Sequence, residues 1–303
     1  MPSTFLVVDV PESGEQTFST LRNLIAAATI ARQLHRTLVM PLGFRRFNLS
    51  ALNLSTTTEH TIANVLHAHK ASECQELPCD SHSRVVRPTF ALLWSLGLPR
   101  MAESFGFVRY SAGWIAHAHT VGRDVGLPRQ QYAAMHLRLE KVFSVFDVER
   151  VLRQTMTAMS AADTQVLFLA SDAAPGTYTS KTFECDNILI SQAIKNRTVR
   201  DLRAFAYDMR AASKRCQRRG AAEMTHVQLV AGLRAGGLQV VTLPRVALGR
   251  AARSIIDHIL CSEAKLFIRP CTGCSNRFES YYQAWILQRR TVDGLQSVDV
   301  QYA

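Results

Sequence analysis

Acidic side chains are the scarce class in this chain. There are 24 Asp and Glu against 35 Lys and Arg, a formal net charge of +11 with histidine neutral. That balance favours an anionic partner: a nucleotide, a nucleic acid, a phosphorylated donor or an acidic membrane. Long apolar runs are lacking, and no stretch approaches the ~18 residues that a membrane-crossing helix needs. Internal repeats and low-complexity tracts are lacking too, which removes solenoids and fibrous classes. A zinc pattern is missing: the seven cysteines give one C-x-x-C, Cys271 to Cys274, with no second pair at finger or ribbon spacing. The positive charge gathers only locally, at Arg45-Arg46 and over Lys214 to Arg219. Without a long basic helix or interleaved aromatics, no nucleic-acid partner is expected.

What is present is a globular α/β pattern. The 303 residues suffice for two domains, and 47% apolar against 19% charged residues is the balance of a folded chain. Phe5 to Val10 reads as a strand, Thr20 to Leu34 as an Ala-rich helix and Arg36 to Pro41 as a second strand. That opening is a β-loop-α-β unit with a parallel crossover. Residues 44–127 are less regular and read as insertions and helices completing a first domain. Within them Cys74 and Cys79 flank a short turn that a disulfide could close. The second half alternates: a strand at Tyr132–Leu139, a helix at Val148–Ala161 and a strand at Gln165–Ala170. A basic helix-prone stretch follows at 198–219, then a helix at 222–235 ended by Gly236-Gly237. The strand Leu238–Leu243, the helix Arg253–Cys261, the strand Lys265–Ile268 and the helix Phe278–Arg289 complete it. Repeated βα units of this length imply a doubly wound parallel sheet.

The most informative stretch is Met135-His-Leu-Arg-Leu-Glu140. A parallel strand buried on both faces should be continuously apolar. This one instead delivers His136, Arg138 and Glu140 at its carboxyl end, where open α/β sheets place ligands. An arginine there suits phosphate, because its planar fork donates two parallel hydrogen bonds and stays charged at any working pH.

Three segments resemble the GDP-fucose-dependent fucosyltransferases, most closely the protein O-fucosyltransferases, with kinship to the α1,6-fucosyltransferases. They are Ile30-Ala-Arg-Gln-Leu-His-Arg-Thr-Leu-Val-Met-Pro41, Met135-His-Leu-Arg-Leu-Glu140, and Ile255 to Ile268 with the Ser-containing loop after it. The resemblance implies a GT-B-like fold: two Rossmann-like domains with parallel sheets facing across a cleft. Residues 1–127 would form the acceptor-side domain and 128–303 the domain that binds GDP-sugar. It implies an inverting, metal-independent transfer of fucose from GDP-fucose to a hydroxyl of a protein Ser/Thr or a glycan, with no cofactor. Arg138 would grip the β-phosphate and His136 help hold the donor. Asp257 would contact guanosine, and Ser275 and Asn276 would hydrogen-bond the pyrophosphate. Asp172 would shape the nucleotide pocket. The base candidate is Glu15, or Glu12, in the loop after the first strand.

Three departures mark this chain. The loop Gly14-Glu-Gln-Thr-Phe-Ser19 has one Gly where the family has a Gly-rich loop with Asn. Arg269-Pro270 stands where Gly-Asn is usual, and Pro270 removes a backbone donor. Cys271-Thr-Gly-Cys274 precedes the Ser loop. They favour, as the alternative, a weakened family member that binds a nucleotide or protein without transferring sugar. A basic nucleotide-binding or nucleic-acid-associated α/β protein unrelated to sugars is a third reading. Three Asn-x-Ser/Thr triplets, at Asn48, Asn53 and Asn196, fit the lumen of the endoplasmic reticulum or Golgi. The start of the chain shows no signal segment, which fits the cytoplasm instead.

Overall fold

The computed structural model describes residues 4–8, 17–40, 47–48, 56–58, 63–68, 71–76, 79, 83–89, 92–93, 108–173, 220–243, 250–271 and 281–302. The protein is α/β and divides into two compact units. The first comprises Met1–Thr120, Ser254–Ser262 and Phe278–Leu295, the second Val121–Arg253, Glu263–Arg277 and Gln296–Ala303.

The first unit holds a five-stranded parallel sheet. Its strands are β1 (Phe5–Val7), β2 (Thr37–Met40), β4 (Thr56–Thr58), β5 (Ser72–Cys74) and β6 (Val85–Pro88), in the order β4-β2-β1-β6-β5. Phe5, Val7, Val39 and Val85 cluster on one face, while Leu6, Leu38 and Val86 are fully buried on the other. This double burial accounts for the unbroken apolar runs of β1 and β2. The helix Thr17–Gln33 begins and ends close to the expected place. Buried Arg36 anchors the start of β2 by donating from Nη1 to Ser83 O at 2.7 Å. Cys74 and Cys79 do form a disulfide, with Cα atoms 5.2 Å apart.

Residues 44–127 thus differ from the expectation of insertions and helices. They supply three of the five strands of this sheet, and a two-stranded antiparallel pair, β3 (Phe47–Asn48) with β7 (Arg109–Tyr110). Strands of two to four residues are too short to show a period, so these were not readable one by one.

The second unit has β8 (Ala133–Leu137), β9 (Val166–Ser171), β10 (Gln239–Val241), β11 (Leu266–Cys271) and β12 (Gln296–Gln301). They run parallel in the order β10-β9-β8-β11-β12. Ala133, Met135 and Leu137 of β8 join Leu167, Leu169, Leu266, Ile268 and Val300 in one core. The helix Val148–Ala161 covers that core. Asp147 caps its start by accepting from Arg150 N at 2.9 Å, and Val151, Thr155 and Met159, four residues apart, are its buried stripe. Residues 220–235 form a second helix, with Ala222, Leu229 and Leu233 in the same core. A Cβ at Gly232 would meet Leu152 Cδ1 at 2.5 Å, so a larger residue there would require the Leu152 side chain to shift. The edge strand β12 was not expected, although Val298, Val300 and Tyr302 alternate inward as a half-buried strand should.

Candidate functional site

The strand order of the second unit contains its own pointer to a ligand. The chain lays down β8, β9 and β10 in one direction, then returns to the far side of β8 for β11 and β12. Where strand order reverses, connections leave neighbouring strands in opposite directions and a crevice opens outside their carboxyl ends. Register locates it. β8 pairs with β9 as far as Leu137 opposite Ser171, but with β11 only as far as Met135 opposite Ile268. β11 continues to Cys271 against β12 alone. From His136 onward, β8 and β11 part.

His136 falls at this parting, on the sheet face away from the Met135 and Leu137 core. The residue is part-exposed but its Nδ1 is shut off from water. Burial, and secondarily the charge of Arg138, lower its pKa from 6.5 to about 3. The imidazole is therefore neutral at physiological pH and offers one N–H and one lone pair. Arg138 is the first residue beyond β8 and is exposed. Asp172, the first beyond β9, is part-exposed, and its N–H donates to Leu137 O at 3.3 Å. Ser171 Oγ accepts from Ala173 N at 3.1 Å and turns the chain out of the sheet there. The structure thus brings His136, Arg138 and Asp172 together on two adjacent strand ends.

On the other bank of the crevice stand Arg269 and Pro270. Arg269 shares the His136 face and is directly opposite Asp299 on β12. Its Nε donates to Asp299 Oδ1 at 2.6 Å and its Nη2 to Asp299 Oδ2. Pro270 leaves the β11–β12 ladder intact, while the β8–β11 ladder ends just before it. Cys271 O accepts from Tyr302 N on the β12 side, so the missing N–H of Pro270 falls on the β8 side, where pairing has ended. A residue other than proline at position 270 would point an N–H to the β8 side, just past the last β8–β11 pair. Cys271 is disulfide-bonded, so it is not a free thiol.

Asp257 lies on the helix Arg250–Glu263, within the stretch Ser254–Ser262 that belongs to the first unit. Its neighbours there are structural. His258, 2% exposed, stacks on Trp285 with ring centroids 3.9 Å apart, and Tyr110 meets it edge-on at 5.5 Å. Burial, and then Asp257, raise the pKa of the Cys261 thiol well above its usual value, with Arg290 opposing. Glu12, Glu15, Glu140's side chain, Ser275 and Asn276 lie outside the described residues.

Sequence reasoning, which offers Arg269 as a charge in place of the donor lost at Pro270, missed its partner Asp299. Asp299 lies thirty positions away on an unpredicted strand, and only the register brings the two face to face. Among the described residues no group of three or more His, Cys, Asp or Glu side chains is placed to hold a metal ion.

No protein-family model matches this sequence, and no curated protein does. Solved structures do. POFUT1 in complex with GDP is 10% identical with a TM-score of 0.58, covering 100% of this chain and 99% of that one. POFUT1 in complex with GDP-fucose is 11% identical with a TM-score of 0.53, covering 100% and 99%. The NodZ alpha-1,6-fucosyltransferase co-crystallized with GDP is 12% identical with a TM-score of 0.46, covering 96% and 93%. At 10% and 11% identity the likeness to POFUT1 is one of fold: an α/β chain with two parallel sheets, of the GT-B-like kind.

Proposed function

We propose that this protein is a glycosyltransferase that moves fucose from GDP-fucose to a hydroxyl of a protein Ser/Thr or a glycan, with inversion and without a metal. The observation that carries the reading is Arg138: an exposed guanidinium at the carboxyl end of the middle strand, beside a topological switch point, two positions from a neutral histidine. The fold shared with a GDP-fucose complex of POFUT1 and the three resembling segments support it.

The chemistry runs as follows. As the bond between fucose and the β-phosphate oxygen stretches, negative charge grows on the diphosphate. Arg138 donates two parallel hydrogen bonds to that charge and stabilises it more in the transition state than in the ground state. His136, neutral, donates an N–H without adding a second positive charge to the strand end. The acceptor hydroxyl attacks from the face opposite the leaving diphosphate, giving inversion, and Glu15 takes its proton. The roles expected for Asp172, Asp257, Ser275 and Asn276 stay part of this proposal, as does the donor-side assignment of residues 128–303. Disulfides at Cys74–Cys79 and at Cys271 favour an oxidising lumen for the location.

A binding-only role is the second reading, favoured by Pro270, which lacks the N–H that another residue would point to the β8 side. Calorimetry with GDP, GDP-fucose, UDP and GMP tests both. GDP binding that is lost in Arg138→Ala supports the donor site, and a flat trace for every nucleotide on folded protein overturns it. Hydrolysis of GDP-fucose, unaffected by a chelator, then separates the enzyme from the binder.

A further inference from the structure

Arg269 has a half of its guanidinium to spare. Its Nε and Nη2 are taken by the two oxygens of Asp299, while Nη1 has no hydrogen-bond partner among the described residues. The side chain is only 11% exposed and that of Asp299 is 40% exposed. The pairing is side-on. It leaves Nη1 and the second N–H of Nη2 as an end-on fork, the geometry in which arginine takes a second anion. The residue stands on the His136 face, one position past the last β8–β11 pair, on the bank opposite Arg138.

We propose that Arg269 is a second phosphate-binding residue of the crevice, aimed by Asp299, and that Asp299 sets how strongly the crevice holds an anion. This deepens the donor-site reading and rests on it for the identity of the ligand, not for the anion site itself. A side-chain donor here makes good the backbone N–H that Pro270 lacks. The price is a carboxylate next to the bound phosphate, which lowers affinity and favours release of the product diphosphate.

Inorganic pyrophosphate, which carries no base, is the probe. Binding is measured by calorimetry on the full chain for wild type, Arg269→Ala, Asp299→Asn and the double variant, with thermal melts alongside. The expected result is weaker binding in Arg269→Ala, roughly 10- to 100-fold, the worth of one charge-assisted contact. Asp299→Asn keeps an acceptor for Arg269 but removes the competing charge, and binds pyrophosphate roughly three- to tenfold more tightly. The double variant loses that gain, which a merely structural pair would not show. Absence of pyrophosphate binding by wild type overturns the proposal. So does wild-type affinity in Arg269→Ala, or no gain in Asp299→Asn. The donor reading fails separately, if pyrophosphate behaves as expected while GDP binds no better than UDP or GMP.

Discussion

The crevice end of the second sheet and the aromatic knot of the first unit hold the same side-chain types, a histidine and an arginine, and use them oppositely. In the knot, His258 is clasped by Trp285 and Tyr110, and Phe47 stacks on Tyr110 at 5.5 Å. Arg290, wholly buried, donates to Ser262 O at 3.0 Å and Cys261 O at 3.5 Å. It puts a cation on the negative end of the helix Arg250–Glu263. At the crevice, Arg138 is exposed and His136 stands where two strands separate. A buried charge with its hydrogen bonds filled is architecture. A charge held in water by a strand end, where backbone pairing has stopped, is available to a ligand.

Three substitutions, from the largest effect down, and one condition press on that contrast. Trp285→Ala empties the centre of the knot and is expected to cost about 3–5 kcal/mol of stability in urea unfolding. A loss below about 1 kcal/mol would show that the knot is loosely packed. Arg290→Met keeps the volume but orphans two helix carbonyls, costing about 2–4 kcal/mol by the same measurement. Arg138→Ala inverts the pattern: its stability stays within about 0.5 kcal/mol of wild type, whereas GDP binding weakens by roughly 10- to 100-fold. A destabilised Arg138→Ala that still binds GDP would place Arg138 with the architectural arginines.

The condition is acid. His136 and His226 have pKa values lowered to about 3 and about 4, first by burial and then by Arg138 and Arg253 respectively. The unfolded chain takes up these protons near pH 6.5 and the folded chain only near 3 to 4, so stability falls as pH drops through that window. Replacing His136 with Asn should flatten part of that slope in thermal melts between pH 6.5 and 4. Arg138→Ala should flatten it slightly, by removing the lesser cause. An unchanged slope in His136→Asn would mean that His136 takes up its proton as readily in the folded chain as in the unfolded one.

Legibility followed element length. The helix Val148–Ala161 was readable to the residue, because fourteen residues with an acidic cap and a regular buried stripe carry a period. Strands β4, β5 and β6 were not, since three or four residues do not. The strand β12 lay between: its alternating Val298, Val300 and Tyr302 were there to see, among exposed polar residues that weakened the pattern.

The sequence by itself determined the α/β class, the apolar strands of the second half and the arrival of His136 and Arg138 at a strand end. Those follow from composition, period and the buried character of parallel strands, all of which are local. The tertiary structure alone decided that β8 and β11 flank the point where strand order reverses and that Arg269 meets Asp299. It also decided that residues 254–262 and 278–295 pack with the first 120. Each of these depends on which distant segments bury one another's apolar faces, and no window along the chain contains both partners.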